Sequence, residues 1–266
     1  MKFSVSFFFV EAWIFSFIIP NIYTYIHKGE RAKTKKRRSM GSEKRVTIGV
    51  LALQGAFIEH VHHLQRCARE YLNEYGLDAL EVITVRTISE LERCDALVIP
   101  GGESTSISLI AQRTGLHEHL VRFVHDPTKA IWGTCAGLIF ISQQVVNGSE
   151  HVSPLGLLKV SVKRNAFGRQ THSFTKECDF SGFIPGCTDF PATFIRAPVV
   201  DKILDPEEVE ILYSLPSTTP DVPDLIVAVR QGDRVLGTSF HPELASTDIR
   251  FHDWFIKRFV LPLTSH

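Results

Sequence analysis

A cysteine framed by small residues carries the strongest chemical signal in this chain. It lies in the pentapeptide Gly133-Thr134-Cys135-Ala136-Gly137, between a short apolar run and a helix-like run. Small residues around a nucleophile are typical of the sharp strand-to-helix turn called a nucleophile elbow, which exposes the reactive side chain at its tip. A cysteine taken alone is more often a small buried apolar residue. The elbow pattern instead favours a catalytic role for Cys135.

A histidine and a carboxylate follow far downstream, in Ser239-Phe240-His241-Pro242-Glu243. A carboxylate two positions after an imidazole can hold one ring nitrogen and leave the other for a sulfur atom. Taken alone, His241 fits packing as well as function, and Glu243 fits a surface carboxylate. Together with the elbow they predict a Cys-His-Glu triad.

A third segment, Pro100-Gly101-Gly102-Glu103-Ser104-Thr105, follows another strand-like run. One interpretation is an ordinary strand-to-helix turn that Ser104 or Thr105 caps. The other is that the paired glycines bring the N–H of Gly102 close to a substrate oxygen. With the N–H of Ala136 it would then form an oxyanion hole.

Strand-like and helix-like segments alternate from Val46 onward. Strands are predicted at 46–53, 80–85, 96–99 and 130–132, and helices at 57–72, 104–112 and 116–125. This alternation predicts one three-layer α/β domain over residues 46–266, with a mostly parallel central sheet flanked by helices. Ligands bind at the carboxyl ends of such strands, so the three motifs are expected to converge there. Gln54, which follows the first strand, is either a helix cap or a residue that reaches the active site or a partner.

The later strand-like segments are closer together, at 157–162, 193–196, 209–213, 225–229 and 235–240. They predict antiparallel additions to the same sheet. Residues 248–260 are expected to close the domain as a helix. His60, His62 and His63 fall on the first helix at a spacing that does not converge on a metal, so a solvated helix face is expected for them.

Zero formal charge conceals two oppositely charged parts. Residues 28–45 hold nine Lys and Arg against two Glu, a net charge of +7, and residues 1–27 are balanced, so residues 46–266 carry −7. A mildly acidic globular part argues against nucleic-acid binding. The five cysteines form no C-x-x-C pair, which fits a reducing cytoplasm rather than a disulfide framework or a zinc site.

The N-terminus contains an apolar stretch, residues 3–26, interrupted by Glu11 and Pro20. It is long enough to cross a bilayer, and the basic run after it would keep the domain on the cytoplasmic side. The alternative is that residues 1–39 are an upstream extension absent from the working protein, because Met40 directly precedes the globular pattern. Residues 1–45 are therefore expected to be a separate extension, with membrane attachment only if residues 3–26 are a genuine anchor.

Six blocks, in order, resemble the glutaminase subunit of pyridoxal 5′-phosphate synthase, a class I, triad-type glutamine amidotransferase with a flavodoxin-like fold. The resemblance covers roughly residues 46–260. The elbow and the His-x-Glu pattern are shared by the wider superfamily, whereas the fourth and fifth blocks are specific to the vitamin B6 branch. The blocks are Leu51-Ala52-Leu53-Gln54-Gly55-Ala56, Pro100-Gly101-Gly102-Glu103-Ser104-Thr105, Gly133-Thr134-Cys135-Ala136-Gly137-Leu138, Arg164-Asn165-Ala166-Phe167-Gly168-Arg169-Gln170, Phe194-Ile195-Arg196-Ala197-Pro198 and Ser239-Phe240-His241-Pro242-Glu243-Leu244.

The resemblance implies a role for each motif. Cys135 would be the nucleophile, His241 the acid and base, and Glu243 the residue that orients His241. Gln54 would belong to an interface or to activation. No metal or bound cofactor is implied. The residues expected to bind glutamine are Gly102, Glu103, Ser104, Arg164, Ile195 and Arg196.

The implied reaction is hydrolysis of L-glutamine to glutamate and ammonia through a thioester. The ammonia would pass to a barrel-fold synthase subunit in a hetero-oligomer that makes pyridoxal 5′-phosphate. Two alternatives remain: a stand-alone γ-glutamyl hydrolase of the same fold, and a non-catalytic regulatory module. The block at 164–170 argues against the first, and the intact triad argues against the second.

Overall fold

The computed structural model describes residues 43–148, 152–167, 173–217 and 223–264. Its strands are β1 (Arg45–Leu51), β2 (Ala79–Val85), β3 (Ala96–Ile99), β4 (Ala130–Thr134), β5 (Ser142–Val146), β6 (Leu158–Lys163), β7 (Ser173–Cys178), β8 (Phe190–Ile195), β9 (Val199–Ile203), β10 (Val209–Leu215), β11 (Leu225–Gln231) and β12 (Val235–Thr238). Its α-helices are α1 (Phe57–Tyr75), α2 (Ile88–Glu92), α3 (Ser104–Arg113), α4 (Leu116–His125), α5 (Ala136–Ile141) and α6 (Arg250–Phe255). A 3-10 turn, Pro242–Leu244, follows β12.

The central sheet has a parallel part made of β1 to β4 and β12. Within the described residues, ten strands form one sheet in the order β2-β1-β3-β4-β12-β11-β9-β6-β5, and β10 pairs with β11. The pairs β1–β2, β1–β3, β3–β4 and β4–β12 are all parallel. Because β3, β4 and β12 are neighbours that run in the same direction, their carboxyl ends lie side by side. Open α/β sheets bind ligands at this edge.

Side chains of the central strands alternate between two apolar cores. In β3, Val98 belongs to the core that contains α1 and α6, whereas Leu97 belongs to the core that contains α3, α4 and α5. All four residues of β3 are buried, as expected for a strand covered on both faces. The sheet is therefore the middle of three layers, and the predicted fold class is confirmed.

The later strands extend the sheet largely as predicted. β11 is antiparallel to β12, β9 and β10, and β9 is antiparallel to β6. Two details of the prediction are wrong. β12 is antiparallel to β11 but parallel to β4. β8 was expected in the same sheet, yet it pairs with β7 in a separate two-stranded sheet. Spacing along the chain indicates a strand but not its partner.

The predicted helix at 248–260 has a different form. The α-helix begins at Arg250, and a wider π-type turn, Ile256–Val260, completes it. The sequence also gave no prediction of β5, β7 or β9, because short strands with exposed polar residues lack a continuous apolar run.

The predicted N-terminal extension, residues 1–45, lies outside the described residues up to residue 42, and so does the apolar stretch 3–26. Gly168, Arg169 and Gln170 of the fourth block also lie outside them. No helix in the described part of the chain combines the length and the apolarity needed to cross a membrane.

Candidate active site

Cys135 occupies a strained turn between β4 and α5. Its φ of 48° lies in a region that residues with a side chain rarely adopt. The Cys135 N–H donates to the carbonyl oxygen of Thr238 at 2.8 Å, which ties the turn to the end of β12. The residue is only 6% exposed. Such strain persists only where the surrounding structure imposes it, and it is concentrated at functional sites.

Packing explains the two glycines of the elbow. A Cβ atom at Gly133 would lie 2.6 Å from the carbonyl oxygen of Gly137, and one at Gly137 would overlap the carbonyl group of Ile99. The first turn of α5 therefore packs directly against the ends of β3 and β4. This close packing fixes where the turn presents Cys135.

His241 and Glu243 lie together just after β12. Nδ1 of His241 is 2.7 Å from Oε1 of Glu243, and the carboxylate is 2% exposed. The His241 N–H donates to the carbonyl oxygen of Thr193 in β8 at 2.8 Å. Its ring lies against Gly101, where any Cβ would overlap it. Nε2 has no hydrogen-bond partner among the described residues, so this nitrogen remains available for the sulfur atom.

The electrostatic environment couples the three residues. Burial by itself lowers the pKa of His241, but its interactions with the Cys135 thiol and the Glu243 carboxylate raise this pKa to about 10. For Glu243, burial opposes ionisation, yet the neighbouring His60 and His241 hold its pKa well below the ordinary value. The carboxylate is therefore ionised at neutral pH, and it stabilises a protonated His241.

A cluster of buried histidines lies behind Glu243, where the sequence predicted a solvated helix face. That expectation is wrong for His60 and His63, which are 0% and 7% exposed, although His62 is exposed. His60 lies between Glu243 and His252 of α6. The prediction failed because helix spacing does not reveal that α6 covers this face of α1.

Gln54 and Gly55 join the loop after β1 to the loop after β3. The Oε1 atom of Gln54 accepts a hydrogen bond from the Glu103 N–H at 2.7 Å, and the Ala56 N–H donates to the carbonyl oxygen of Gly101 at 2.9 Å. Gly55 has a φ of 99°, and a Cβ there would overlap that same carbonyl group. This contact supports the interpretation that Gln54 reaches the active site, rather than the interpretation that it caps a helix.

Glu103, rather than Ser104 or Thr105, caps α3. Its carboxylate accepts hydrogen bonds from the N–H groups of Thr105 at 2.9 Å and Ser106 at 2.7 Å. Burial alone would raise the pKa of Glu103, but these N–H groups and the Ser106 hydroxyl lower it to about 2. The carboxylate also lies 3.6 Å from the Arg164 guanidinium.

The two predicted arginines come from loops after later strands. Arg164 follows β6, where its N–H donates to Oδ1 of Asn147 at 3.1 Å. Arg196 follows β8 with a φ of 45° and is exposed. The Ala166 N–H donates to the carbonyl oxygen of Ala197 at 3.1 Å, so the two arginine-bearing loops are joined.

These segments surround a cleft of about 320 Å³. Every predicted site residue except Glu243 lines it, and Glu243 lies behind His241. The carbonyl oxygen of Ile195 is 3.8 Å from the Cys135 sulfur. Ile139 also lines the cleft and was not predicted, because a single apolar residue on a short helix gives no sequence signal. The lining residues are Gln54, Gly102, Glu103, Ser104, Cys135, Ala136, Ile139, Arg164, Asn165, Ile195, Arg196, Pro198 and His241.

In the described part of the chain, no group of three or more His, Cys, Asp or Glu is placed to hold a metal ion. An open α/β fold with a cysteine, a histidine and a carboxylate at its strand ends is typical of cysteine-dependent acyl-transfer enzymes.

Comparison with known proteins specifies this class further. A family model described as "SNO glutamine amidotransferase family" matches residues 50–261. The chain therefore belongs to the SNO glutamine amidotransferase family, as the six blocks indicated. The match includes every predicted site residue.

Similarity to individual relatives supports the same family assignment. The chain is 60% identical over 226 residues to the pyridoxal 5′-phosphate synthase subunit SNO1 of Saccharomyces cerevisiae, covering 85% of this chain and 98% of that protein. It is 43% identical over 210 residues to the pyridoxal 5′-phosphate synthase subunit PdxT of Dehalococcoides mccartyi, covering 79% and 95%. A solved structure of a glutamine amidotransferase superposes with a TM-score of 0.64 at 38% identity, covering 82% of this chain and 99% of that one.

Proposed function

We propose that this protein hydrolyses the side-chain amide of L-glutamine and supplies the ammonia to a pyridoxal 5′-phosphate synthase. The observation that carries the proposal is the placement of Cys135 on a strained turn within the same cleft as His241, whose Nδ1 is held by a buried carboxylate. Family membership and the names of the relatives support the substrate and the pathway.

The first half of the reaction forms a thioester. The Cys135 thiolate adds to the carboxamide carbon, and the N–H groups of Gly102 and Ala136 bind the oxyanion. His241, charged through its contacts with Cys135 and Glu243, protonates the departing nitrogen, and the C–N bond breaks to release ammonia.

The second half returns the enzyme to its starting state. His241, now neutral, takes a proton from water, and the resulting hydroxide adds to the thioester carbon. The C–S bond breaks and glutamate leaves. Glu243 keeps Nδ1 of His241 protonated throughout, so Nε2 is the atom that accepts and donates the proton.

Recognition of the amino-acid end is assigned mainly to two arginines that line the cleft. Arg164 and Arg196 provide guanidinium groups that suit an α-carboxylate, because a planar fork can pair with both oxygens. Gly102, Glu103, Ser104 and the backbone of Ile195 complete the contacts. Cleft volume and charge both fit a small zwitterionic substrate.

The proposed partner is a barrel-fold synthase subunit in a hetero-oligomer. Ammonia escapes easily into water, so a glutaminase that supplies it is expected to dock on the enzyme that uses it. The hydrogen bond that Gln54 accepts from the Glu103 N–H supports a role for Gln54 in transmitting docking to the Glu103 loop. We assign the protein to the cytoplasm, which suits its five free cysteines.

Ammonia release from L-glutamine, measured with and without a synthase subunit, tests the proposal. We expect release by the wild type in the presence of the synthase and a loss of about 10⁴-fold or more in Cys135→Ala, because the nucleophile is removed. Cys67→Ala, which changes a buried cysteine outside the cleft, is the matched control and should retain activity. Equal release by wild type and Cys135→Ala would contradict the proposal.

A substrate panel separates this function from the alternatives. Free glutamine should be hydrolysed in preference to γ-glutamyl peptides, and a glutamine analogue with an electrophilic side chain should label Cys135. Preference for peptides without any synthase would instead identify a γ-glutamyl hydrolase. Absence of labelling would identify a non-catalytic module.

A further inference from the structure

The second oxygen of the triad carboxylate has an unusual environment. Oε2 of Glu243 is buried and has no partner with full hydrogen-bond geometry among the described residues. Nε2 of His60 lies 3.2 Å away, which is the distance of a hydrogen bond without its ideal angle. The same nitrogen forms a hydrogen bond of 3.3 Å with the Thr134 hydroxyl, so Thr134 and Glu243 share Nε2 of His60. A buried carboxylate oxygen needs a donor, and His60 is the group within reach.

The neighbours of His60 determine which nitrogen carries its proton. A lone pair on Nε2 would face the ionised carboxylate of Glu243, so the proton must be on Nε2. Nδ1 of His60 lies 2.9 Å from Nε2 of His252. Burial, with His60 and His63 nearby, holds the pKa of His252 well below the ordinary value, so its ring is neutral. When Nδ1 of His60 is unprotonated, the Nε2–H of His252 donates to it.

Packing holds this arrangement in place. His60 is completely buried and makes an edge contact with Trp132, at 5.4 Å between ring centres. His252 contacts the same Trp132 ring, at 5.1 Å, and stacks on His63 at 4.8 Å. The three histidines belong to α1 and α6, which cover the sheet beneath the triad. None of them lines the cleft.

We propose that His60 is a positioning residue for the triad: its Nε2–H holds Oε2 of Glu243, which keeps Oε1 directed at Nδ1 of His241. His60 does not touch the substrate and transfers no proton in the reaction. It acts by fixing a carboxylate that would otherwise rotate or lose part of its charge. This inference rests on the proposed function, because it assigns a role only if Glu243 serves the triad.

Two amide substitutions separate the two contacts of His60. In His60→Gln the amide nitrogen takes the place of Nε2 and can still donate to Glu243. In His60→Asn the amide takes the place of Nδ1, so the contact with His252 is retained and the contact with Glu243 is lost. His62→Gln, which changes an exposed histidine on the same helix, is the matched control.

The measurements are kcat and KM for glutamine in the complex with the synthase subunit, over a range of pH. We expect His60→Asn to lower kcat by about 10- to 100-fold, the effect of losing a hydrogen bond to a buried charge. KM should be unchanged, because His60 lies outside the cleft. His60→Gln should retain kcat within about threefold, and His62→Gln should match the wild type.

The pH profile provides a readout that a purely structural role would not change. The titratable groups that face Glu243 and His241 are Cys135, His60 and, one layer further away, His63 and His252. A poorly held carboxylate stabilises the His241 imidazolium less. The alkaline limb of kcat/KM should therefore move to lower pH in His60→Asn but not in His60→Gln.

Each outcome decides the question. A kcat that is retained in His60→Gln and lowered in His60→Asn supports the proposal. A kcat that is retained in His60→Asn and lowered in His60→Gln would overturn the proposal. So would a kcat that is retained in both variants or lowered equally in both. An inactive wild type would instead refute the proposed function, so the two failures are distinguishable. Melting temperatures of all variants show whether a loss of kcat reflects unfolding.

Discussion

Two groups of strands supply the residues of the same cleft in different ways: β3, β4 and β12 lead into a parallel wall, and β6 and β8 lead into a recognition wall that carries the two arginines. The parallel strands deliver Cys135 and His241, which are both 6% exposed and held by backbone hydrogen bonds and close packing. Strands β6 and β8 lead to Arg164, which is half-buried, and Arg196, which is exposed, both on loops. The proposed reacting groups are thus fixed by the core, whereas the proposed recognition arginines lie nearer the surface.

This difference has a physical reason. Covalent chemistry requires reacting atoms to be held within a fraction of an ångström, which demands a rigid, buried setting. Recognition of a charged substrate group tolerates more freedom, because long side chains can adapt to it. Substitutions of the buried triad and elbow residues should therefore change kcat and stability, and substitutions of Arg164 and Arg196 should change KM.

The largest effect is expected for Gly137→Ala. The new Cβ would overlap the Ile99 carbonyl group, so the elbow cannot form without a backbone shift. We expect a loss of about 3 kcal/mol in the free energy of unfolding and a Tm lower by roughly 10 °C, with no measurable ammonia release. Gly182→Ala is the control: nothing lies within 4 Å of its Cβ position, so stability should change by less than about 0.5 kcal/mol. A stable and active Gly137→Ala variant would show that close packing of Gly137 against Ile99 is not required for the elbow.

Glu243→Gln should have the next largest effect. A glutamine can present its amide group to Nδ1 of His241 and favour the wrong tautomer, while the buried site keeps its shape. We expect kcat to fall by about 10³-fold or more with little change in KM, measured by steady-state ammonia release. The exposed Glu177→Gln, on β7, should behave as the wild type. A change confined to KM would place Glu243 in binding instead.

Arg196→Met tests the recognition wall. Removing a charge-assisted contact with the substrate carboxylate should raise KM for glutamine by about 10- to 100-fold, with kcat within about threefold of the wild type. Arg196→Lys should be intermediate, because it keeps the charge without the planar fork. A fall in kcat at unchanged KM would show that the two walls do not divide their roles as proposed.

The smallest effect is expected for Glu103→Gln, and it should depend on pH. The pKa of Glu103 is lowered to about 2, so its cap stabilises the fold above the unfolded-state value near 4.5. This contribution is lost as pH falls from about 4.5 towards 2. We expect Tm to fall by about 2 °C at pH 7, with the difference from the wild type shrinking below pH 4.5. Glu118→Gln, whose side chain caps no helix, should show no such trend.

Sequence reasoning was most successful where a motif includes its own geometry. The glycines around Cys135 indicate an elbow, and the two-residue spacing of His241 and Glu243 permits the observed 2.7 Å contact. Sequence reasoning was least successful where the outcome depends on distant partners. Glu103 caps α3, whereas the sequence offered only Ser104 or Thr105 as possible caps, because Ser and Thr are the commoner caps. The prediction that β8 belongs to the central sheet was also wrong, because the sequence of a strand does not specify the strand with which it pairs.

The sequence by itself determined the strand and helix alternation of the first half of the domain, the family and most of the residues that line the cleft. It did so because local periodicity and short glycine-containing motifs are properties of neighbouring residues. Only the tertiary structure placed β12 beside β4, which brings His241 into the same cleft as Cys135. Only the tertiary structure buried His60 against Glu243, since burial of a helix face depends on which element covers it, and α6 is nearly two hundred residues away along the chain.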